Sequence, residues 1–280
     1  MKLAILADNN TLIDRYFLGE PGVSYFIEAD GKRILYDVGY SDVFIRNAQK
    51  LGIDLLNLDY LVLSHGHLDH VWGLDPLLRM YTEASLEGLP MRKPQVIVHE
   101  KTFNHRPRAY AGGSGFMVGE DRLSKYFEIR KITEPVWLTE HLAALPNIPN
   151  INDFEVKVPF KQIRNGDTDE DDYMEDEIAL ACKSEGGLIV MNPCSHRGIC
   201  NTIEYAKRVS KEERIADVIG GFHLQNPAKE LLDSTAAYFT ENPPAAVHAC
   251  HCTDLHSKVA LAKVANLQEV GSGLQLEYPA

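Results

Sequence analysis

Leu61-Val62-Leu63-Ser64-His65-Gly66-His67-Leu68-Asp69-His70 places three imidazoles and a carboxylate within six positions, directly after an apolar run. Tyr60 to Leu63 reads as a buried strand, so these polar residues stand where the strand ends. Nitrogen ligands suit zinc, iron or manganese, and a carboxylate among them adds charge and leaves room for a bound water. The spacing points to a metal centre rather than to a solvated polar loop. His65, His67, Asp69 and His70 are therefore read as metal ligands. Asp69 is also a candidate base toward a water whose pKa the ion lowers to roughly 7.

Outward from this stretch, short apolar strands alternate with helical patterns. Strands are expected at Lys2 to Ala7, Val23 to Glu28, Arg33 to Asp37 and Gln95 to His99, with helices at Asp42 to Leu51 and Val71 to Tyr81. After Glu175 the pattern resumes: strands at Ile178 to Lys183, Leu188 to Met191, Ile215 to Ile219 and Ala245 to Cys250, and helices at Asn201 to Ser210, Pro227 to Thr240 and Asp254 to Ala265. The second half repeats the layered α/β architecture of the first. Residues 1–280 are read as one domain, with a less regular, proline-punctuated insertion at about 105–175 near the site mouth. Within it, Asp167 to Glu177 holds eight acidic residues in eleven and reads as an exposed charged loop.

Hydrophobic content of 45% and charged content of 24% are those of a globular chain able to bury its own core. A formal net charge of −12 repels polyanions, which argues against nucleic acid and acidic membrane surfaces and leaves a small-molecule substrate as the expected partner. The apolar start, Met1 to Ala7, is too short for a signal peptide, and no apolar run reaches the length of about eighteen residues that a membrane span needs. Five cysteines, an odd count without an export signal, are expected to be reduced thiols of a cytoplasmic protein.

Further candidates lie at the ends of later strands, where α/β folds place their chemistry. His196, in Asn192-Pro193-Cys194-Ser195-His196-Arg197-Gly198, and His251, in His248-Ala249-Cys250-His251-Cys252-Thr253-Asp254, are read as metal ligands. His223, after Gly220-Gly221-Phe222, could meet metal, substrate or neither, and is assigned to substrate contact or proton transfer. His99 ends another strand and is either a pocket-facing substrate contact or a surface histidine. Cys194 is either a thiolate ligand or a small buried residue. Asp37 closes a strand and could hold the second nitrogen of a ligand imidazole, or simply form the turn. The helix after Gly198, with Arg197 alongside, offers amides and charge to a substrate phosphate or carboxylate.

The segment His65-Gly66-His67-Leu68-Asp69-His70 resembles the signature of the metallo-β-lactamase fold. Leu35-Tyr36-Asp37-Val38-Gly39, Cys194-Ser195-His196-Arg197-Gly198, Gly220-Gly221-Phe222-His223-Leu224 and His251-Cys252-Thr253 resemble one branch in order and wording, the dihydropterin-ribofuranosylaminobenzene-phosphate synthase-like metallohydrolases. The likeness runs from Met1 to about Asp254. It implies an α/β fold, an αββα sandwich of two mixed β-sheets flanked by helices, around one or two divalent metal ions. Zinc is the usual metal, with iron and manganese in the wider fold. By the resemblance His65 and His67 hold a first metal, Asp69 and His70 a second, His251 completes the second site, and His196 joins or completes the first. Many dinuclear members carry a histidine in the strand pair corresponding to Ile178 to Met191 and a bridging Asp at the end of its second strand; here that stretch offers Asp176 and Cys194 with His196. The implied activity is that of a metal-dependent hydrolase, using metal-bound hydroxide on a small anionic ester or related substrate bearing phosphate or carboxylate. A non-haem iron redox enzyme and a non-catalytic metal-dependent ligand-binding protein are the alternatives, because a fold does not fix a reaction.

Overall fold

In the apolar stretches, neighbouring residues face different surroundings. Ile34 and Tyr36 join one buried cluster while Leu35 between them joins another; Ile189 and Met191 join the first while Leu188 and Val190 join a third. A strand covered on both faces needs apolar residues at every position, so these segments are continuously apolar rather than alternating. Three such clusters separate four layers.

The computed structural model describes residues 1–107, 115–156 and 158–279. The first half contributes β1 (Lys2–Ala7), β2 (Ser24–Ala29), β3 (Lys32–Tyr36), α1 (Val43–Leu51), β4 (Tyr60–Val62), α2 (Leu68–Val71), α3 (Leu74–Leu86) and β5 (Gln95–His99). The middle contributes α4 (Glu120–Leu123), β6 (Glu128–Ile132), β7 (Val136–Trp137), β8 (Leu142–Pro146), β9 (Lys161–Asn165) and β10 (Thr168–Asp172). The second half contributes β11 (Ile178–Ser184), β12 (Gly187–Asn192), α5 (Ile199–Ser210), β13 (Ile215–Gly221), α6 (Lys229–Glu241), β14 (Ala246–Cys250), α7 (Leu255–Leu261) and β15 (Gln275–Glu277).

One sheet has the order β15-β1-β2-β3-β4-β5-β6 and the other β14-β13-β12-β11-β8-β7, each mixing parallel and antiparallel pairs. Ile5, Tyr25, Ile34, Leu180 and Met191 fill the space between them. Phe44 of α1 and Leu77 of α3 cover the outer face of the first sheet, and Ile203 of α5 and Phe239 of α6 that of the second. The expected αββα sandwich of two mixed sheets is the observed fold. Among the described residues no helix is long and apolar enough to cross a membrane.

The middle of the chain, expected as a less regular strand-and-loop insertion, lends strands to both main sheets. β6 extends the first sheet and β8, buried throughout, pairs with β11 in the second. The charges on β6 (Glu128, Arg130, Lys131) disguised it; they belong to an edge strand, where charge also deters further pairing. Residues 108–114 and 157 of this stretch lie outside the described residues. The acidic run is exposed over much of its length, as expected, but Thr168–Asp172 is the strand β10 rather than a loop, and Asp172, Asp176 and Glu177 are buried because each meets donors.

Because β1 and β3 both pair antiparallel with β2, β1, β3 and β4 point the same way. β12, β13 and β14 are likewise mutually parallel. The C-terminal ends of these six strands meet at one rim, tied across the sheets by Asp8 Oδ1 accepting from the His251 amide at 2.9 Å and by Ser64 O accepting from the Ile178 amide at 2.8 Å.

Candidate metal centre

Asp37, just past β3 and fully buried, organises the motif. Its Oδ1 accepts from the Ser64 amide at 2.7 Å, and its Oδ2 lies 2.6 Å from Ser64 Oγ and 2.7 Å from His70 Nδ1. The left-handed backbone at this position, with φ of 57°, is one that Asp tolerates better than most residues. A carboxylate can only accept, so Nδ1 of His70 carries a proton and its Nε2 is left to bind a ligand. The same logic extends one bond further. Ser64 Oγ donates to Asp37 and so accepts from His65 Nδ1 at 2.9 Å, leaving His65 Nε2 free.

His65 Nε2 and His67 Nδ1 are 3.1 Å apart. Two nitrogens bound to one tetrahedral zinc at about 2.0–2.1 Å would stand about 3.3 Å apart, so the pair has ligand spacing. His196 closes a triangle with them, ring centres lying 4.6, 4.9 and 4.8 Å apart. It is held there because the amides of His196 and Arg197 donate to Glu177 at 2.7 and 2.9 Å. Gly66 inside the motif must stay small, since a Cβ there would stand 2.7 Å from Nη1 of the buried Arg106.

A second group adjoins the first. Asp69 Oδ2 lies 3.4 Å from His251 Nε2 and 3.7 Å from His70 Nε2. His251 is fixed by Asp8 at its amide and by Asn9 Oδ1 at its Nδ1, 3.2 Å away, which again frees Nε2. The rings of His65 and His70 are 4.2 Å apart, so the two groups are continuous. Cys194 Sγ lies within 4.8 Å of ligand atoms of both His65 with His196 and His70 with His251.

Burial, reinforced by mutual repulsion, pushes the pKa values of His65, His67 and His196 well below the usual range, keeping these imidazoles neutral and able to donate lone pairs. Burial also opposes charge on His70, but Asp69 and Asp37 outweigh it and raise its pKa to about 9. Asp69 is pulled well below the usual carboxylate range by His70 and His251 against the effect of its own burial. Nε2 of His70 and Nε2 of His196 are buried without a hydrogen-bond partner. Orphaned polar atoms of this kind are rare and need an explanation. A divalent cation among neutral imidazoles, a carboxylate and a thiol supplies one, so the residues fit the metal that the fold implies.

Beside His196 opens a cleft of about 340 Å³. His223 and Ser195 lie at its base, and Val156, Phe160, Leu224 and Leu231 are among its apolar walls. Phe160 packs on the rings of His67, His196 and His223 at 4.9, 5.2 and 6.0 Å and lines the cleft together with the last two. At the lip Val158 and Tyr173 remain 74% and 38% exposed, more apolar surface than a solvent-facing wall requires.

His65, His67, Asp69, His70, His196 and His251 thus come together, with Asp37 behind them, Cys194 between the groups and His223 on the cleft wall. Two other assignments change. His99 is buried; its Nε2 faces Asn147 Oδ1 at 3.1 Å and its Nδ1 the Lys101 amide at 3.2 Å, so it fastens loops instead of meeting substrate. Arg197 commits its guanidinium to Ile148 O, Tyr173 O and Asn150 Oδ1, and the α5 amides beside it, those of Cys200 and Asn201, already donate to Glu155 at 2.9 and 2.8 Å. The anion expected there is the protein's own carboxylate. Asp176, expected either to support the ligands or to be one, takes the supporting role: it accepts from the Gly66 amide at 2.9 Å and pairs with Arg106 at 2.6 Å, steadying the motif loop from behind. Sequence reasoning missed Ser64, Asn9, Arg106 and Glu177. Only Ser64 carried a local signal, its adjacency to the motif; the others act from distant segments.

Residues 18–84 match the model of the metallo-β-lactamase superfamily. A Methanocaldococcus jannaschii protein of uncharacterized function is 29% identical over 267 residues, covering 94% of this chain and 95% of its own length. The 7,8-dihydropterin-6-methyl-4-(β-D-ribofuranosyl)-aminobenzene-5'-phosphate synthase of the same organism is 29% identical over 266 residues, covering 90% of this chain and 87% of its own. Among solved structures, a metal-dependent hydrolase of the β-lactamase superfamily superposes over 100% of both chains with a TM-score of 0.82 and 26% identity. A diphosphatase of the PhnP family shares the fold at a TM-score of 0.56 and 18% identity, over 99% of this chain and 97% of its own. With its four-layer sandwich, its histidine-rich rim and these likenesses, the chain has the metallo-β-lactamase fold.

Proposed function

We propose that the chain is a metal-dependent hydrolase of small molecules, its one or two divalent ions, zinc foremost, held by His65, His67 and His196 and by Asp69, His70 and His251. The observation that carries this reading is the convergence of six ligating side chains from both halves of the chain on one buried spot beside an apolar cleft. A divalent ion there would polarise an electrophilic carbon or phosphorus centre and make the water it carries acidic near neutral pH. Asp37 and Ser64 keep the Nε2 lone pairs of His70 and His65 directed inward. Asp69, with Oδ2 between His70 and His251, accepts a proton from the attacking water, and His223 on the cleft wall gives one to the leaving group. Phe160 limits the entry of bulk water.

The apolar walls of the cleft suit an apolar or aromatic substrate portion. An ester with such a portion is the best-supported substrate. Five buried, unpaired cysteines agree with a reducing, cytoplasmic setting.

The test is to measure metal per chain and turnover on alkyl esters, aryl esters and phosphodiesters for the parent, His67→Ala and Asp69→Asn. Zinc with ester hydrolysis, both falling by at least tenfold in the variants, is expected. Unchanged metal content and rate in either variant refutes the assignment. Iron with oxygen consumption and no hydrolysis would replace it with redox chemistry.

A further inference from the structure

We propose that the Cys194 thiolate is shared by both metal positions, standing where a bridging carboxylate would otherwise be. The inference rests on the reading that this cluster binds metal and adds how two ions are held together.

Three observations carry it. First, Cys194 lies between the two groups: its Sγ is within 4.8 Å of ligand atoms of His65 and His196 and, in a separate triad, of His70 and His251. Nε2 of His70 and of His196 are buried and unpartnered, so the sulfur faces open lone pairs on either side. Second, the nearby acids are otherwise engaged. Asp37 serves Ser64 and His70, Asp176 serves Gly66 and Arg106, Glu177 serves two amides, and Asp8 serves the amides of His251 and Asn10. Among these acids Asp69 turns a carboxylate oxygen toward the Nε2 atoms of His70 and His251, and one negative charge is poor compensation for two buried dications. Thiolate is a good ligand for zinc and supplies the missing charge.

Third, the backbone around Cys194 is shaped for it. Asn192 Oδ1 accepts from the amides of Cys194 and Ser195 at 3.4 and 3.1 Å, fixing the turn that presents the thiol. On the adjacent strand end Gly221 leaves the necessary space, because a Cβ there would stand 3.3 Å from Cys194 Cα and 2.5 Å from Cys252 Sγ. No side chain can therefore reach between the groups from position 221. Cys252 sits behind, its Sγ 3.3 Å from that of Cys194 and accepting from the His223 amide at 3.2 Å. It backs the ligand sulfur, while Cys194 alone belongs to both of the histidine triads.

Cobalt(II) and NMR-active cadmium are the probes. The cobalt-loaded parent should bind two ions per chain and show a thiolate-to-cobalt charge-transfer band. Cys194→Ser should lose that band and weaken the second ion at least tenfold, whereas Cys252→Ser should keep the band. Retention of the band and of both ions in Cys194→Ser overturns the proposal. The cadmium-loaded parent needs no variant: both cadmium resonances should lie in the sulfur-ligated range, and one or none there overturns the sharing. Metal uptake without any sulfur signature refutes the thiolate and leaves the hydrolase reading standing, while failure of the parent to bind metal at all refutes both.

Discussion

Replacing Asp37 by Asn changes one atom, and the structure fixes its consequences. Asp37 is fully buried and accepts three hydrogen bonds through two oxygens, from the Ser64 amide, Ser64 Oγ and His70 Nδ1. Asn supplies one acceptor oxygen in place of two. If that oxygen keeps the position of Oδ2, the new NH2 group opposes the Ser64 amide donor, an unpaired buried clash costing about 1–3 kcal/mol. If the amide flips, its NH2 faces His70 Nδ1, which must then accept. The proton of that ring moves to Nε2, the atom aimed at the metal. Either way, a lost charge-assisted bond adds about 1.5–3 kcal/mol. Stability of the metal-free protein should fall by roughly 2–5 kcal/mol, and metal affinity by about 10–100-fold, the usual effect of removing a group that orients a ligand imidazole. Urea denaturation of the metal-free protein and competition with a chromophoric chelator measure the two quantities. A folded Asp37→Asn protein with metal affinity within twofold of the parent would refute the orienting role and with it the tautomer assignment for His70.

The pKa of His70, raised from 6.5 to about 9, gives metal-free stability that is fully present below about 6.5 and lost as pH climbs through about 9. The ion competes for the same lone pair, so metal affinity should move the opposite way, rising up to about tenfold per pH unit until about 9; chelator competition over that interval checks it, and a flat profile counts against His70 as a ligand. Arg106, fully buried, holds Asp172 at 2.7 Å and Asp176 at 2.6 Å, so Arg106→Met should cost about 3–5 kcal/mol in chemical denaturation by stranding two buried carboxylates. Adding Asp172→Asn and Asp176→Asn should recover part of the loss, and no recovery would mean that packing rather than charge is responsible.

The fold was largely legible because strands such as Lys32–Tyr36 and Gly187–Asn192 are buried on both faces and so continuously apolar. β6 was not, since an edge strand carries charge, and within the largely exposed β10 the burial of Asp172 was hidden because it depends on Arg106, 66 positions earlier. At the site, ligands at strand ends announced themselves through residue type and position. Their supports did not. Nothing local to Glu177 says that it will accept two amides from the turn carrying His196, nor local to Glu155 that it will cap α5. Arg197 misled for the same reason: a guanidinium beside a helix start looks free until Ile148, Tyr173 and Asn150 are brought to it.

The division between ligands and supports also explains how two halves of a chain make one centre. His65, His67, Asp69 and His70 arrive together after β4, whereas His196 and His251 come singly after β12 and β14. A singly presented ligand has no neighbouring ligand to fix it, and both of these receive their positions from carboxylates remote in sequence: Glu177 binds the turn of His196, and Asp8, 243 positions away, binds the amide of His251. Asp8 and Asn9 directly follow β1 of the first sheet, so the contact that aims His251 also ties the two sheets together at this rim. Formation of the metal site and closure of the sandwich at this rim are therefore one event. Metal binding should stabilise the whole fold by linkage rather than a loop alone, because only the docked pair of sheets presents both sets of ligands.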